Sequence, residues 1–275
     1  MKQIPFIKMD GLGNDFVIID GRKNRIALTP ALIIKMANRK TGIGFDQLIL
    51  LKNSKTCDVK MEIFNADGSA AGACGNGTRC VSSLIFEESK KHKITLEAPY
   101  KKILTARRGK FITVDMGLPK YDWQDIPLSK KADTLNLKIL PVLPPAVCTS
   151  MGNPHAVFFV KDVAKLDIAK LGSKVENDKI FPQRTNVEFA QILGPQKIRM
   201  RVWERGAGIT LACGSGACAT LAGAIRRGLI KNKAAIIMDG GTLIIEQNKE
   251  GRILMSGPVN KAFSGTANAV PFLIS

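Results

Sequence analysis

The chain alternates short apolar runs with polar punctuation, and most of the runs read as strands. Val, Ile, Leu and Phe crowd residues 16–20 (FVIID), 47–51 (QLILL), 59–64 (VKMEIF), 93–98 (KITLEA) and 110–117 (KFITVDMG). The same texture returns at 155–160 (HAVFFV), 186–192 (NVEFAQI), 197–203 (KIRMRVW), 234–240 (AAIIMDG) and 241–247 (GTLIIEQ). Runs of this length, rich in β-branched residues, predict strands. Four longer segments predict helices. Residues 29–40 open on Thr-Pro, an N-cap followed by proline in the first turn. Residues 163–177 carry an ordinary amphipathic stripe. Residues 77–90 and 216–228 are apolar nearly all round, which predicts helices buried on every side and wrapped by strands. The second ends on Arg226-Arg227-Gly228, cations and a glycine suited to a helix C-terminus. Prolines gather between 117 and 145, a candidate domain boundary.

The two buried helices follow nearly the same octapeptide: ACGNGTRC at 73–80 and ACGSGACA at 212–219. Cys213 lies 139 residues after Cys74. The same offset carries Gly13-Asn14 onto Gly152-Asn153, Gln47 onto Asn186, Met61 onto Met200, Phe64 onto Trp203, Asn65 onto Glu204 and Gly77 onto Gly216, with no gap. Several of these positions are polar and sit where strands meet turns. A repeat kept for packing alone would match in its apolar stripes. The register therefore predicts a duplicated domain whose copies retain equivalent site residues.

Composition narrows the classes. The chain has 275 residues, 45% of them hydrophobic, enough for one large core or two smaller ones. No charged-then-apolar leader opens it, and no apolar run is long enough to span a bilayer. A soluble cytoplasmic protein without a membrane partner is the expectation. The net charge of +18 raises nucleic acid as a partner, but the basic residues are dispersed as pairs and aromatics make up only 6%. The expectation is no nucleic acid, and a positive field that attracts a small acidic substrate. Six cysteines without a leader point to reduced thiols. Their spacings are not those of structural zinc, and only His92 and His155 could join them, so no metal is expected. Cys57, Cys80, Cys148 and Cys218 read as inert core.

Cys74 and Cys213 read differently because they come as a matched pair at helix N-termini. Unpaired backbone N–H groups there bind anions. The same location is expected to lower a thiol's pKa below its free value of about 8.5. Two such turns brought to one ligand would set a cysteine on each face of a stereocentre. One would remove a proton while the other delivers one, as an epimerase or racemase requires.

At this point the residues resemble a known family. KMDGLGNDF (8–16), GIGFDQLILL (42–51), FNADGSAAGACGNGTRC (64–80), GNPHAVFFV (152–160) and ERGAGITLACGSGACA (204–219) closely resemble the motifs of the diaminopimelate epimerase family, and the resemblance continues to the GPV and FSGT near the C-terminus. It implies an α+β fold of two pseudo-symmetric domains, each a curved, mostly antiparallel sheet or barrel around a central buried helix, with the active site in the interdomain cleft. On this chain the halves fall at 1–117 plus 263–275, carrying Cys74, and at 118–262, carrying Cys213. The implied activity is cofactor-independent interconversion of LL- and meso-diaminopimelate in lysine and peptidoglycan precursor biosynthesis, without pyridoxal phosphate. The homodimer is the assembly entertained.

Carried over by motif, Cys74 and Cys213 are the acid/base pair, and His155 and Glu204 tune them or help move protons. The backbones of Gly75-Asn76 and Gly214-Ser215 cradle the carboxylate at the reacting centre. Asn14, Gln47, Asn65, Asn153, Asn186, Glu204 and Arg205 contact the rest of the substrate. Arg205 suits a carboxylate by its planar fork. Ser215 stands where threonine is usual and Phe45 where a small residue is common; neither removes a required group. A proline-racemase-like enzyme would share the cysteine pair but lack the Glu-Arg-Gly motif and the asparagine set. A phosphate-binding NTPase fails because no Gly-Lys-[Ser/Thr] follows the glycine turns. A nucleic-acid-binding module would leave the cysteine duplication unexplained.

Overall fold

The computed structural model describes residues 2–24, 26–72, 74–99 and 102–269. Its first elements are β1 (Lys2–Gly11), β2 (Asn14–Asp20), α1 (Pro30–Ala37), β3 (Gln47–Lys52), β4 (Val59–Asn65), α2 (Gly75–Glu88), β5 (Lys93–Ala98), β6 (Lys102–Arg107) and β7 (Ile112–Gly117). There follow β8 (Val147–Ser150), β9 (Pro154–Phe159), α3 (Ile168–Glu176), β10 (Asn186–Gly194), β11 (Lys197–Glu204), β12 (Gly208–Thr210), α4 (Gly214–Arg226), β13 (Lys233–Met238), β14 (Gly241–Gln247), β15 (Ile253–Gly257) and β16 (Asn260–Ala269). The chain forms two compact units, residues 1–114 with 258–275 and residues 115–257.

Each unit is an α+β body built on a mixed, mostly antiparallel sheet. In the first, β16 pairs antiparallel with β1, β1 with β2, β3 with β4 and β5 with β6, while β2–β3 and β4–β5 are parallel. In the second, β8–β9, β10–β11, β13–β14 and β14–β15 are antiparallel, while β9–β10 and β11–β13 are parallel. The correspondence extends to register. Phe16 sits opposite Gln47, and His155 opposite Asn186, each pair displaced by the same 139 residues. The Phe64–Ala70 bridge reappears as the Trp203–Ile209 pair of β12. The repeat is therefore structural, not only a likeness of two cysteine turns.

The central strands are apolar on both faces because both faces are covered. Val17, Ile19, Leu48 and Leu50 pack with Ile33 and Met36 of α1, while Phe16 and Ile49 lie against Gly77 of α2. In the second unit Val187, Phe189 and Phe158 pack with Ile168 and Val175 of α3. Its other helix, α4, touches β8, β9, β10, β13, β14 and β15, so the sheet curls around it. Such strands read as near-continuous hydrophobic runs. Thr29 caps α1, its hydroxyl accepting from the N–H of Leu32 at 3.2 Å, with Pro30 at the first position. Asp167 caps α3 in the same way through Lys170.

Several strands escaped the hydrophobic pattern. β1 carries lysines and a proline, β16 (NKAFSGTANA) is almost all polar or small, and β8 has four residues. What holds β16 is its long ladder to β1, from Lys2–Ala269 to Asp10–Asn260. That ladder also accounts for the second limit of the units, at 257/258: the chain rejoins the first unit as β16 starts pairing with β1. The proline-rich stretch after 117 is no linker: Ile126, Leu128 and Leu137 lie in the second unit's core. Ala73 and residues 270–275 fall outside the described residues.

Candidate active site

In each unit the topology delivers the site residues to one edge of the sheet. Parallel β2 and β3 begin at the same edge, with Asn14 and Gln47, and antiparallel β4 ends there with Asn65. The chain then turns into α2, with Cys74 at its N-cap. The second unit repeats this with Asn153 ahead of β9, Asn186 opening β10, Glu204 closing β11 and Cys213 capping α4. Glycine makes the approach to each asparagine: Gly13 and Gly152 have φ of 82° and 100°. Leu12 beside Gly13 also has positive φ, 66°, as the two-residue turn between β1 and β2 demands.

In the first unit the thiol of Cys74 donates to Asn14 Oδ1 at 3.7 Å. Asn14 is oriented by Asp46, whose carboxylate accepts from its Nδ2 at 2.8 Å. Asp46 is in turn gripped by Arg39 at 2.7 Å, and Arg39 also pairs with Asp15. Lys8 is buried against Asp15 and the carbonyl of Gly44. Desolvation acts to raise the Asp15 pKa, but the guanidinium of Arg39 and the ammonium of Lys8 outweigh it and hold the carboxyl well below its ordinary range. Gln47 donates to Asn65 Oδ1 at 3.1 Å. Gln47 Oε1 and Asn76 Oδ1 are buried acceptors without a hydrogen-bond partner among the described residues. An idle acceptor on the first turn of a helix, with a second at the start of β3, suits a ligand that carries both N–H donors and an anionic group. Gly75 and Asn76 are the first two residues of that helix.

The second unit links its residues in one chain of contacts. Cys213 Sγ lies 3.6 Å from Ser215 Oγ and accepts from the N–H of Gly216 at 3.4 Å. Asn153 Nδ2 donates to Ser215 Oγ at 3.3 Å, and Asn153 Oδ1 lies 3.0 Å from His155 Nε2. His155 Nδ1 meets Glu188 Oε1 at 2.7 Å, with both side chains fully buried. Asn186 accepts from the backbone N–H of Arg205 at 3.0 Å and donates to the carbonyl of Pro154 at 2.9 Å. Glu204 accepts from Thr210 and from the Cys213 thiol. Arg205 is exposed and donates to the carbonyl of Gln183 at 3.1 Å. Glu204 and Arg205 thus serve different partners and are not a surface ion pair. Gly214 is the first residue of α4.

Electrostatics correct one expectation. Burial, and after it the carboxylates of Glu204 and Glu188, push the Cys213 thiol well up, against the smaller opposing effects of Ser215 and the Gly216 N–H. The helix N-terminus does not leave this cysteine as a resting thiolate. Burial likewise raises Glu204. Cys80 and Cys148, read as inert, are buried thiols also raised by desolvation, Cys80 to about 12.

Three further residues of the candidate site carry little signal in the sequence. Glu188 sits in a strand that looked wholly structural; its only signal is a carboxylate inside NVEFA. Asp46, in GIGFDQ, orients Asn14. Glu176 of α3 accepts from Trp203 Nε1 at 2.7 Å and from the N–H of Gly206 at 2.8 Å, and so fixes the turn that carries Glu204 and Arg205.

This doubled architecture has a counterpart among known proteins. The profile of the diaminopimelate epimerase family matches residues 6–121 and again 147–262. The chain belongs to the diaminopimelate epimerase family. A diaminopimelate epimerase of Acidiphilium cryptum is 49% identical over 268 residues, 96% of either chain. That of Rhodospirillum centenum is 50% identical over 264 residues, 94% of this chain and 91% of its own. Diaminopimelate epimerases are isomerases. Distant solved structures share the fold at low identity. A PhzF-family phenazine biosynthesis protein from Bacillus anthracis aligns with a TM-score of 0.69 at 16% identity, covering 98% of this chain and 100% of its own. A hydroxyproline epimerase from Agrobacterium vitis aligns at 0.68 and 13%, covering 97% and 91%.

Proposed function

We propose that the protein interconverts LL- and meso-diaminopimelate by a two-base reaction in which Cys74 and Cys213 are the acid and base. The reading extends to a cytoplasmic role in lysine and peptidoglycan precursor synthesis, without pyridoxal phosphate or metal. The observation that carries it is the cysteine-capped buried helix, built twice in register within a family of epimerases. Inverting a carbon needs the same chemistry from two directions, and a duplicated half-site supplies it.

The side chains fit the parts of this substrate. Diaminopimelate carries two carboxylates and two ammonium groups. The first-turn N–H groups at Gly75-Asn76 and Gly214-Ser215 favour a carboxylate and stabilise the charge that grows on it as the α-proton leaves. Gln47 Oε1 and Asn76 Oδ1 are acceptors available to ammonium N–H. Arg205 is exposed and spends one guanidinium nitrogen, Nη1, on the carbonyl of Gln183, and the rest of its fork is offered to the distal carboxylate. Cys213, kept as a thiol by burial and two carboxylates, serves as the proton donor in one direction. In the reverse direction its thiolate is met by the Gly216 N–H and the Ser215 hydroxyl.

Purified protein should exchange the α-hydrogen of LL-diaminopimelate with D2O and form the meso isomer without added cofactor. Folded protein that does neither overturns the reading. Cys74→Ala and Cys213→Ala should each abolish epimerisation; near-full turnover in either refutes the two-base mechanism.

A further inference from the structure

The two units follow one plan but differ at a buried spot beside the cysteine-capped helices. A Cβ built on Gly77 of α2 would lie 2.7 Å from Ile49 Cδ1 and 3.2 Å from Phe16 Cε1. A Cβ built on Gly216 of α4 would lie 2.7 Å from Glu188 Oε1. The 139-residue offset takes Gly77 to Gly216, Ile49 to Glu188 and Phe16 to His155. All four of these side chains are fully buried. The first unit fills the position with an apolar pair, and the second fills it with an ionisable one.

Folding does not account for the exchange. Taking an ionisable pair out of water is costly, and a well-packed apolar pair of similar volume is often as good or better. The first unit shows that this fold accepts such a pair. Glu188 Oε2 also has no hydrogen-bond partner among the described residues, a poor arrangement for a group kept for stability. The pair does stand next to chemistry. Asn153 donates through Nδ2 to Ser215, so its Oδ1 faces His155 Nε2, and Nε2 must carry the hydrogen. The remaining proton lies between Nδ1 and Glu188.

We propose that Glu188 is a positioning residue of this half-site: it holds His155 with Nδ1 toward its carboxylate and the Nε2–H fixed on the Asn153–Ser215–Cys213 chain. The inference rests on the epimerase reading for its kinetic consequence and on the structure alone for the ring. A carboxylate at one ring nitrogen fixes the orientation of the imidazole and holds a proton on that side, here between Nδ1 and Glu188, while Asn153 Oδ1 takes the Nε2–H on the other.

The test uses full-length protein. Glu188→Gln keeps the shape and an acceptor but removes the charge. It should lower kcat on LL-diaminopimelate about 10- to 100-fold while KM moves less than about twofold, and it should change the kcat pH profile. The chain has only two histidines, so His92→Gln leaves His155 as a single imidazole for nitrogen NMR. Near neutral pH its Nε2 should be protonated, and Glu188→Gln should move the Nδ1 resonance. The double variant His155→Phe with Glu188→Ile installs the first unit's pair. It should fold with a Tm at or above wild type and have no turnover. Wild-type kcat, pH profile and Nδ1 signal in Glu188→Gln would overturn the proposal. So would a bare Nε2 in the unsubstituted site, a result that needs no variant at position 188. If the parent protein itself leaves diaminopimelate unchanged, the epimerase reading fails, while the ring signals and melting curves still decide the role of Glu188.

Discussion

Gly216→Ala tests how tightly the second half-site is assembled. The added methyl carbon would sit 2.7 Å from Glu188 Oε1 and 3.3 Å from Cys213 Sγ. A comfortable contact needs roughly 3.5 Å, so the carboxylate must retreat by about 0.8 Å or the helix must shift. Glu188 has little room, being fully buried and bonded to His155 at 2.7 Å. Overpacking of this kind costs about 1–3 kcal/mol. Replacing glycine by alanine within a helix returns about 0.8–1.0 kcal/mol. The net loss is then about 0–2 kcal/mol, a fall in Tm of up to about 8 °C. Activity should suffer more than stability, because a displacement near 1 Å in a reacting constellation costs about 100-fold in rate. Gly77→Ala is the control. Its methyl would press on Ile49 and Phe16, so it should cost stability without moving an ionisable pair, and the loss of turnover should stay well below that of Gly216→Ala. Thermal melts and α-hydrogen exchange in D2O read the two quantities separately. Gly216→Ala with wild-type Tm and kcat/KM would refute the packing argument.

Two pH effects follow from the charge arrangement. Cys213 is raised by burial, Glu204 and Glu188, so its alkylation by iodoacetamide should begin at higher pH in native than in unfolded protein, and Glu204→Gln should move that onset down; native alkylation with a midpoint below the unfolded one would refute the assignment. Asp15 is depressed by Arg39 and Lys8 against the opposing effect of burial, so its contribution to stability is present above about pH 4 and lost as pH falls toward its lowered folded value. Asp15→Asn should therefore lower stability at neutral pH and flatten the acid limb in denaturant titrations. Parallel pH curves for variant and parent would contradict that.

Much of the candidate site was legible because its residues sit at strand ends and helix caps. Asn14, Gln47 and Asn65 mark junctions, and their mates Asn153, Asn186 and Glu204 share one offset. Glu188 was not legible. It lies mid-strand in NVEFA, where alternation and propensity describe a core position equally well. Its meaning depends on which face of β10 looks at α4, and the structure puts Glu188 on that face, its Oε1 2.7 Å from where a Cβ on Gly216 would sit. β16 was hidden for a related reason. Its residues lack apolar character, and its ladder to β1 joins segments some 250 residues apart, a backbone pairing that side-chain patterns do not report.

By itself the sequence determined the duplication, the buried helices behind each cysteine and the family resemblance, because periodicity, capping and repeated motifs are local properties of the chain. The tertiary structure alone decided the state of the cysteine microenvironment. A helix N-terminus seen in sequence argues for a lowered thiol pKa, yet Cys213 is raised. Desolvation and two carboxylates brought in from β10 and β11 outweigh the local dipole, and such long-range neighbours exist only once the strands have paired.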